Sequence, residues 1–172
     1  MLKKALILLL LTITVLVLGC RQNSQPFLEY QNQNFSAKAT LKINGTDYGI
    51  SVTKEPTDSY TLSFTTPDTV KGVCIKKNNE GTFFSTGNVH IPLKDGSNIT
   101  AETFKLFSLS KNDLTASSEK QIGGVKVIAH SFDCDFGKAE VLISTETNLP
   151  LQFTADVKGN EVILTISEFV IG

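Results

Sequence analysis

The chain has 172 residues, 16 basic against 17 acidic side chains and 41% hydrophobic residues, with eleven phenylalanines and no tryptophan. The near-neutral balance excludes a nucleic-acid partner, because phosphate binding needs a basic stripe and the longest basic run after the N-terminus is Lys76-Lys77. No GxSxG, HExxH or P-loop pattern occurs, so no catalytic residues and no cofactor are assigned.

In chain order, Lys3 and Lys4 precede an uncharged stretch from Ala5 to Leu18, interrupted only by Thr12 and Thr14. Fourteen helical residues span about 21 Å, short of the roughly 30 Å hydrocarbon core, which makes this an h-region and not a spanning helix. The stretch ends in "VLGC" (17–20), followed at once by "RQNSQ". This ending resembles the bacterial lipobox, with Val17 where leucine is commoner. The resemblance implies cleavage after Gly19 and diacylglycerol on the Cys20 thiol. Two or three acyl chains hold a protein at a membrane where one does not. The expected organisation is a signal peptide over 1–19, a lipidated polar tether over 20–34, and one β-rich domain over 35–172. Cleavage at that point leaves 14 basic and 17 acidic side chains.

Half of "RQNSQPFLEYQNQN" (21–34) is Asn or Gln, a composition that buries little. Phe27, Leu28 and Tyr30 are the exceptions, and a short helical turn docks them locally. From Phe35 the period becomes two: "FSAKATLKI" sets Phe35, Ala37, Ala39, Leu41 and Ile43 on one face, as in an antiparallel strand with one wet face. Asn44-Gly45 signals a hairpin, since both residues tolerate positive φ. Short strands follow in "DYGISVTK", "YTLSFTT", "TVKGVCIKK", "TFFSTG" and "VHIPL".

"TAETFKLFSLS" (100–110) breaks the alternation. Ala101, Phe104, Leu106 and Phe107 recur at helical spacing, with Thr100 as N-cap and Glu102 in the first turn. Strands then resume through "LTASSEKQI", the hairpin "GG" (123–124), "VKVIAHSFDCDF", "KAEVLIS", "LQFTADV" and "EVILTISEFVI", with Gly159-Asn160 as the last turn. Within 124–136, Val125 and Val127 have one parity while Phe132, Cys134 and Phe136 have the other, which predicts a bulge near 129–131. About eleven short strands and one inserted helix predict a barrel or a sandwich.

Two longer stretches carry a family resemblance: "YTLSFTTPDTVKG" (60–72), and "TETNLPLQFTADVKGNEVILTISEF" (145–169), where Leu-Pro precedes a strand pair. Both resemble segments of the Lol-type (LolA-like) bacterial lipoprotein carriers and their mycobacterial glycolipid-binding relatives. That resemblance implies a mostly β, incomplete antiparallel barrel of about eleven strands, with one helix near 100–110 on its concave face over an apolar cavity. The long N-terminal helix common in the family is absent here or reduced to residues near 26–30. A second resemblance, of class and size, is to the clostridial germination lipoproteins, which act by binding a partner enzyme.

The expected function is therefore an anchored extracytoplasmic protein that binds an apolar ligand, a lipid or acyl chain, lined by Phe64, Phe83, Phe104, Phe107 and Phe153. The alternative is a non-enzymatic interaction module for an envelope or germination enzyme. A filled core favours the second and a cavity of several hundred Å³ the first. His90 and His130 stand isolated, so no metal site is expected. His130 and Cys134 lie about 13 Å apart along a strand, beyond hydrogen-bond reach. Cys74 and Cys134 leave two states open outside the cytoplasm, one disulfide or two free thiols.

Overall fold

The computed structural model describes residues 27–57, 59–94 and 99–172. Eleven antiparallel strands form one open sheet: β1 (Phe35–Ile43), β2 (Thr46–Lys54), β3 (Tyr60–Thr66), β4 (Val73–Asn78), β5 (Gly81–Thr86) and β6 (Val89–Leu93), then β7 (Leu114–Ile122), β8 (Val125–Cys134), β9 (Gly137–Ser144), β10 (Pro150–Val157) and β11 (Asn160–Ile171). The spatial order is β6-β5-β4-β3-β2-β1-β11-β10-β9-β8-β7. Two meanders thus meet at a seam between the first and last strands, where Phe35 pairs with Ile171 and Ile43 with Val162.

This order leaves β6 and β7, consecutive in the chain, as the two opposite edges. Their connection has to travel from one edge to the other, and its described residues 99–108 lie over one face of the sheet. It contains an α-turn, α1 (Ile99–Glu102), running directly into a 3₁₀ segment, Thr103–Ser108. Phe104 meets Tyr60 of β3 at 5.8 Å, and Phe107 meets Phe35 of β1 at 5.5 Å and Phe153 of β10 at 5.1 Å. The helical segment predicted over 100–110 is therefore present, packed on the inner face through the residues expected. Its hydrogen bonding is tighter than expected, and Thr100 lies inside the first turn, not at the cap.

Alternation in β1 is realised without exception over its first seven residues: Phe35, Ala37, Ala39 and Leu41 are buried and Ser36, Lys38 and Thr40 are exposed. The inner-face cluster continues through Ile50, Val52, Leu62, Ile75, Val141, Phe153, Val157, Val162 and Leu164. At ~25 cal/mol per Å² of apolar surface removed from water, this single layer of side chains under the helix is the main source of stability. Two neighbouring turns are locked at the seam. Asn44 and Gly45 have φ of 47° and 86°, and the Asn44 side-chain amide donates to Asn160 Oδ1 at 2.8 Å while its Oδ1 accepts from the Glu161 amide at 3.1 Å. The last hairpin turns on Lys158 and Gly159, one position earlier than expected, since these two carry the positive φ values and Asn160 already pairs with Val157.

The parity change in β8 has a different cause from the predicted bulge. β8 pairs with β9 in unbroken register from Val127↔Ser144 to Cys134↔Gly137. The extra residue, Thr115, lies on β7, between Leu114↔Phe132 and Ala116↔Ser131. β8 is apolar on both faces: Val127 and Ala129 join Leu142 and Leu151 in an outer cluster, while Phe132, and Phe136 in the turn that follows, join the inner core. A bulge does occur on β11, where Ser167 is inserted between the partners of Lys38 and Ala39 and its hydroxyl donates to the Lys38 carbonyl at 3.1 Å. It moves Phe169 and Ile171 onto the core face of Val162 and Leu164.

The domain begins before Phe35. Glu29–Asn32 forms a 3₁₀ turn, and Leu28 and Tyr30 are buried in the inner core. The Tyr30 ring packs edge-on to Phe35, Phe153 and Phe169 at 5.6–6.5 Å. Burial pushes its hydroxyl pKa far above the ordinary tyrosine value.

Candidate functional site

The five phenylalanines expected to line a cavity do not form one surface. Phe104, Phe107 and Phe153 are at most 1% exposed and pack on one another's neighbours, so they are core. Phe83 is on the outer face: it pairs with Lys76, whereas the inner-face Ile75 pairs with Phe84. Only Phe64, half-buried and edge-on to Tyr48 at 5.7 Å, borders open inner surface.

The open apolar surface is a strip the expected set mostly missed. Register aligns Ile75, Phe84 and Ile91 across β4, β5 and β6, and Val73, Thr86 and Val89 beside them. All face the same way as the core, but Val89 and Ile91 are 52% and 50% exposed. The strip lies at the corner of the sheet away from the helical segment, on the edge strand β6. Pro92 in "VHIPL" was the available signal, because proline within a strand marks an edge. That this corner escapes the helical cover depends on where residues 99–108 pack.

A second concavity of about 340 Å³ lies where the helical segment meets both halves of the sheet, lined by Lys77, Thr82, Lys94, Glu102, Lys105, Asp135 and Lys158 together with Ala101 and Phe136. Lys105 Nζ is 3.0 Å from Glu102 Oε2 and 3.0 Å from Asp135 Oδ2. Burial opposes its charge, but the two carboxylates outweigh it and raise its pKa, while the Lys105 ammonium lowers that of Asp135. Glu102 is 6% exposed, and the inner-core packing around it makes Lys105 its charge partner.

His130 Nδ1 lies 2.8 Å from the Ser117 hydroxyl across β7 and β8, a pairing that the spacing did not reveal. The imidazole packs edge-on to Phe27 at 5.6 Å, and burial lowers its pKa. Among the described residues no group of three or more His, Cys, Asp or Glu side chains is placed to hold a metal. Cys74 and Cys134 are free thiols, and the disulfide is not formed. Cys74 faces outward beside Ser63, its sulfur 3.2 Å from the hydroxyl, whereas Cys134 packs against the inner core, where burial raises its pKa to about 11. Opposite faces of one sheet cannot be bridged. Cys20 and the rest of the signal and lipobox lie outside the described residues.

One open antiparallel sheet of eleven strands with a helix across its inner face is the architecture that the carrier-like resemblance implied, without barrel closure. No protein-family profile matches the sequence, and no curated protein matches it. Among solved structures, the chain is similar to an uncharacterized conserved protein from Thermus thermophilus (15% identity, TM-score 0.56, 84% of this chain and 82% of that one). It is also similar to a LolA superfamily protein from Nitrosomonas europaea (10% identity, TM-score 0.47, 84% and 91%). A third is MucB of Pseudomonas aeruginosa, solved with MucA (15% identity, TM-score 0.47, 84% and 54%). The Thermus protein shares the fold, and at this identity nothing further is transferred.

Proposed function

We propose that this protein is a non-enzymatic binding module, tethered to the outside of a bacterial membrane through Cys20, that engages a protein of the cell envelope. The observation that supports this reading is the filled inner face. Phe104, Leu106, Phe107 and Phe153 are each at most 1% exposed and occupy the space in which a carrier would hold acyl chains. What is left for a partner is the strip of Phe84, Val89 and Ile91 on an edge strand, where apolar contacts and free backbone groups stand together. An acyl chain is the second reading, favoured by the continuity of that strip with Phe64 and Tyr48 on the same face.

One pair of substitutions tests the site, and extraction tells the readings apart. The Val89→Asp/Ile91→Asp double variant is expected to keep its thermal midpoint, as exposed substitutions change stability by roughly 0.5 kcal/mol or less. It is expected to lose a stoichiometric envelope protein that the wild type retains after cross-linking in its host. Recovery of phospholipid or fatty acid by mass spectrometry of solvent extracts, with no protein captured, selects the acyl-chain reading. Retention of the same partner by the variant removes the strip from consideration.

The anchor is tested separately. Cys20→Ser is expected to abolish incorporation of an alkyne fatty acid and release the protein from the membrane fraction, because the 14-residue apolar stretch is too short to span. Equal labelling of variant and wild type contradicts the lipobox reading.

A further inference from the structure

Ile122 and Val125 face each other across the last rung of the β7–β8 hairpin, and they are 48% and 43% exposed. Both lie on the outer face, in line with Val127 and Ala129 behind them. β9 pairs with β8 only from Val127 onward, so the two foremost rungs of the hairpin run past the end of that strand. Gly123 and Gly124 make the turn at φ of 57° and 85°, and a Cβ at either position would meet nothing within 4 Å. Behind the apolar rung come Lys126 in the second rung and Lys120 in the third, with Glu119 in the fourth. Lys120 is held by Glu140 at 2.9 Å. Aliphatic groups in front and ammonium groups just behind match the depth profile of a bilayer surface. Apolar side chains enter its acyl boundary there, and lysines reach back to the headgroups.

Register fixes the end of the sheet that this tip occupies. Ile128 pairs with Ile143, Ile143 with Pro150, and Gln152 with Thr165, so the tip lies where β11 finishes and β1 begins. The chain thus enters the domain at the end that carries the tip. Phe27 meets the His130 ring at 5.6 Å. His130 is six residues from Gly124, or about 20 Å along the strand. Cys20 precedes Phe27 by seven residues, a reach of up to about 25 Å. A lipid on Cys20 and the hairpin tip can therefore share one membrane surface.

We propose that the β7–β8 tip is a second membrane contact, dipping Ile122 and Val125 into the bilayer that holds the Cys20 lipid. The inference rests on the anchor proposed above and adds an orientation to it. Two aliphatic side chains bind a bilayer weakly by themselves, but the tether keeps them at its surface, where a weak contact is enough to stop the domain swinging. Pairing carries Phe35 through Lys54, Tyr60, Lys77 and Thr82 to Leu93, which leaves Val89 at the opposite end of the sheet. The β6 strip is thereby turned away from the membrane, toward a partner in the envelope.

The chain has no tryptophan, so Ile122→Trp makes the tip its sole indole, with Val125→Trp as a second reporter. The lipidated protein, made from the full chain in bacteria, is reconstituted into vesicles of phosphatidylglycerol and phosphatidylcholine with brominated acyl chains. Both reporters are expected to float with the vesicles, to emit at shorter wavelength than in detergent-free buffer, and to be quenched by the bromines. Val89→Trp is expected to float without quenching. Adding Val125→Asp to Ile122→Trp is expected to lower quenching to the Val89→Trp level, with flotation and circular dichroism unchanged. Flotation with both tip reporters no more quenched than Val89→Trp overturns the proposal and leaves the anchor standing. Failure of every variant to float removes the anchor and the proposal with it. Quenching unaffected by Val125→Asp also overturns it, because the introduced indole and not the native tip then finds the bilayer. An emission shift that needs added envelope extract and occurs without quenching makes the tip a protein-binding site, and the proposal falls.

Discussion

Truncating Phe107 to alanine is expected to lower the unfolding free energy by about 3–5 kcal/mol, with Phe104→Ala in the same range. Both rings are at most 1% exposed, so each leaves a cavity that the surrounding strands fill only in part. Phe107 belongs at the upper end, because it touches β1 and β10 across the seam, and its loss weakens the contact between the two meanders. The ring contact of Phe104 is with Tyr60 of β3, within the first meander. Phe83→Ala is the control: its ring is half-buried on the outer face, and a change of about 1 kcal/mol is expected for a half-buried side chain. With no tryptophan present, denaturant midpoints are best read by circular dichroism. Midpoints unchanged by both core truncations would contradict the placement of the helical segment on the inner face.

Gly137→Ala is expected to cost on the order of 3 kcal/mol or more, from strain and collision together. The residue opens β9 with φ of 135°, a conformation that side chains rarely adopt, and a Cβ placed there would stand 1.9 Å from the Asp156 carbonyl oxygen. The obstacle is backbone, which cannot swing aside as a flexible side chain can. Either β10 moves, breaking the pairing of Ala139 with Ala155, or the β8–β9 turn opens and exposes the buried Phe136. Gly45→Ala separates the two contributions. Its φ is 86° but nothing lies within 4 Å, so only the backbone penalty of about 1–2 kcal/mol applies. Equal midpoints for the two variants would show that the contact with Asp156 relaxes freely.

These two residue types were unequally visible in the sequence. Phe104 and Phe107 were legible because helical spacing interrupts a long run of period two, and the segment proved to cover 99–108 against the expected 100–110. Gly137 was one glycine among twelve, and its constraint is a carbonyl nineteen residues away. Phe83 and Phe84 are a simpler case. Adjacent residues of a strand point to opposite faces, so one of them had to face inward, but the choice belongs to the pairing of Phe84 with Ile75. The predicted bulge in β8 failed for a related reason. A strand with apolar residues at both parities is either kinked or packed on both faces, and only the outer cluster of Val127, Ala129 and Leu142 distinguishes the two.

Local chemistry determined where the elements lie. Alternation set β1 at Phe35–Ile43, turn residues placed Asn44-Gly45 and the Gly123-Gly124 hairpin, and the docking of Leu28 and Tyr30 followed from two apolar groups in a polar stretch. These depend on neighbours within a few residues, where period and φ preference act directly. Tertiary structure decided what the elements do together. The pairing of β1 with β11 joins residues some 130 positions apart, and it makes β6 and β7 the edges. That pairing sends the connecting segment across the inner face, fills it with Phe104 and Phe107, and leaves Val89 and Ile91 outside the cover. It also brings four lysines from distant strands and turns to one recess. Long-range register is set by the joint burial of many side chains, and no single stretch of residues encodes it.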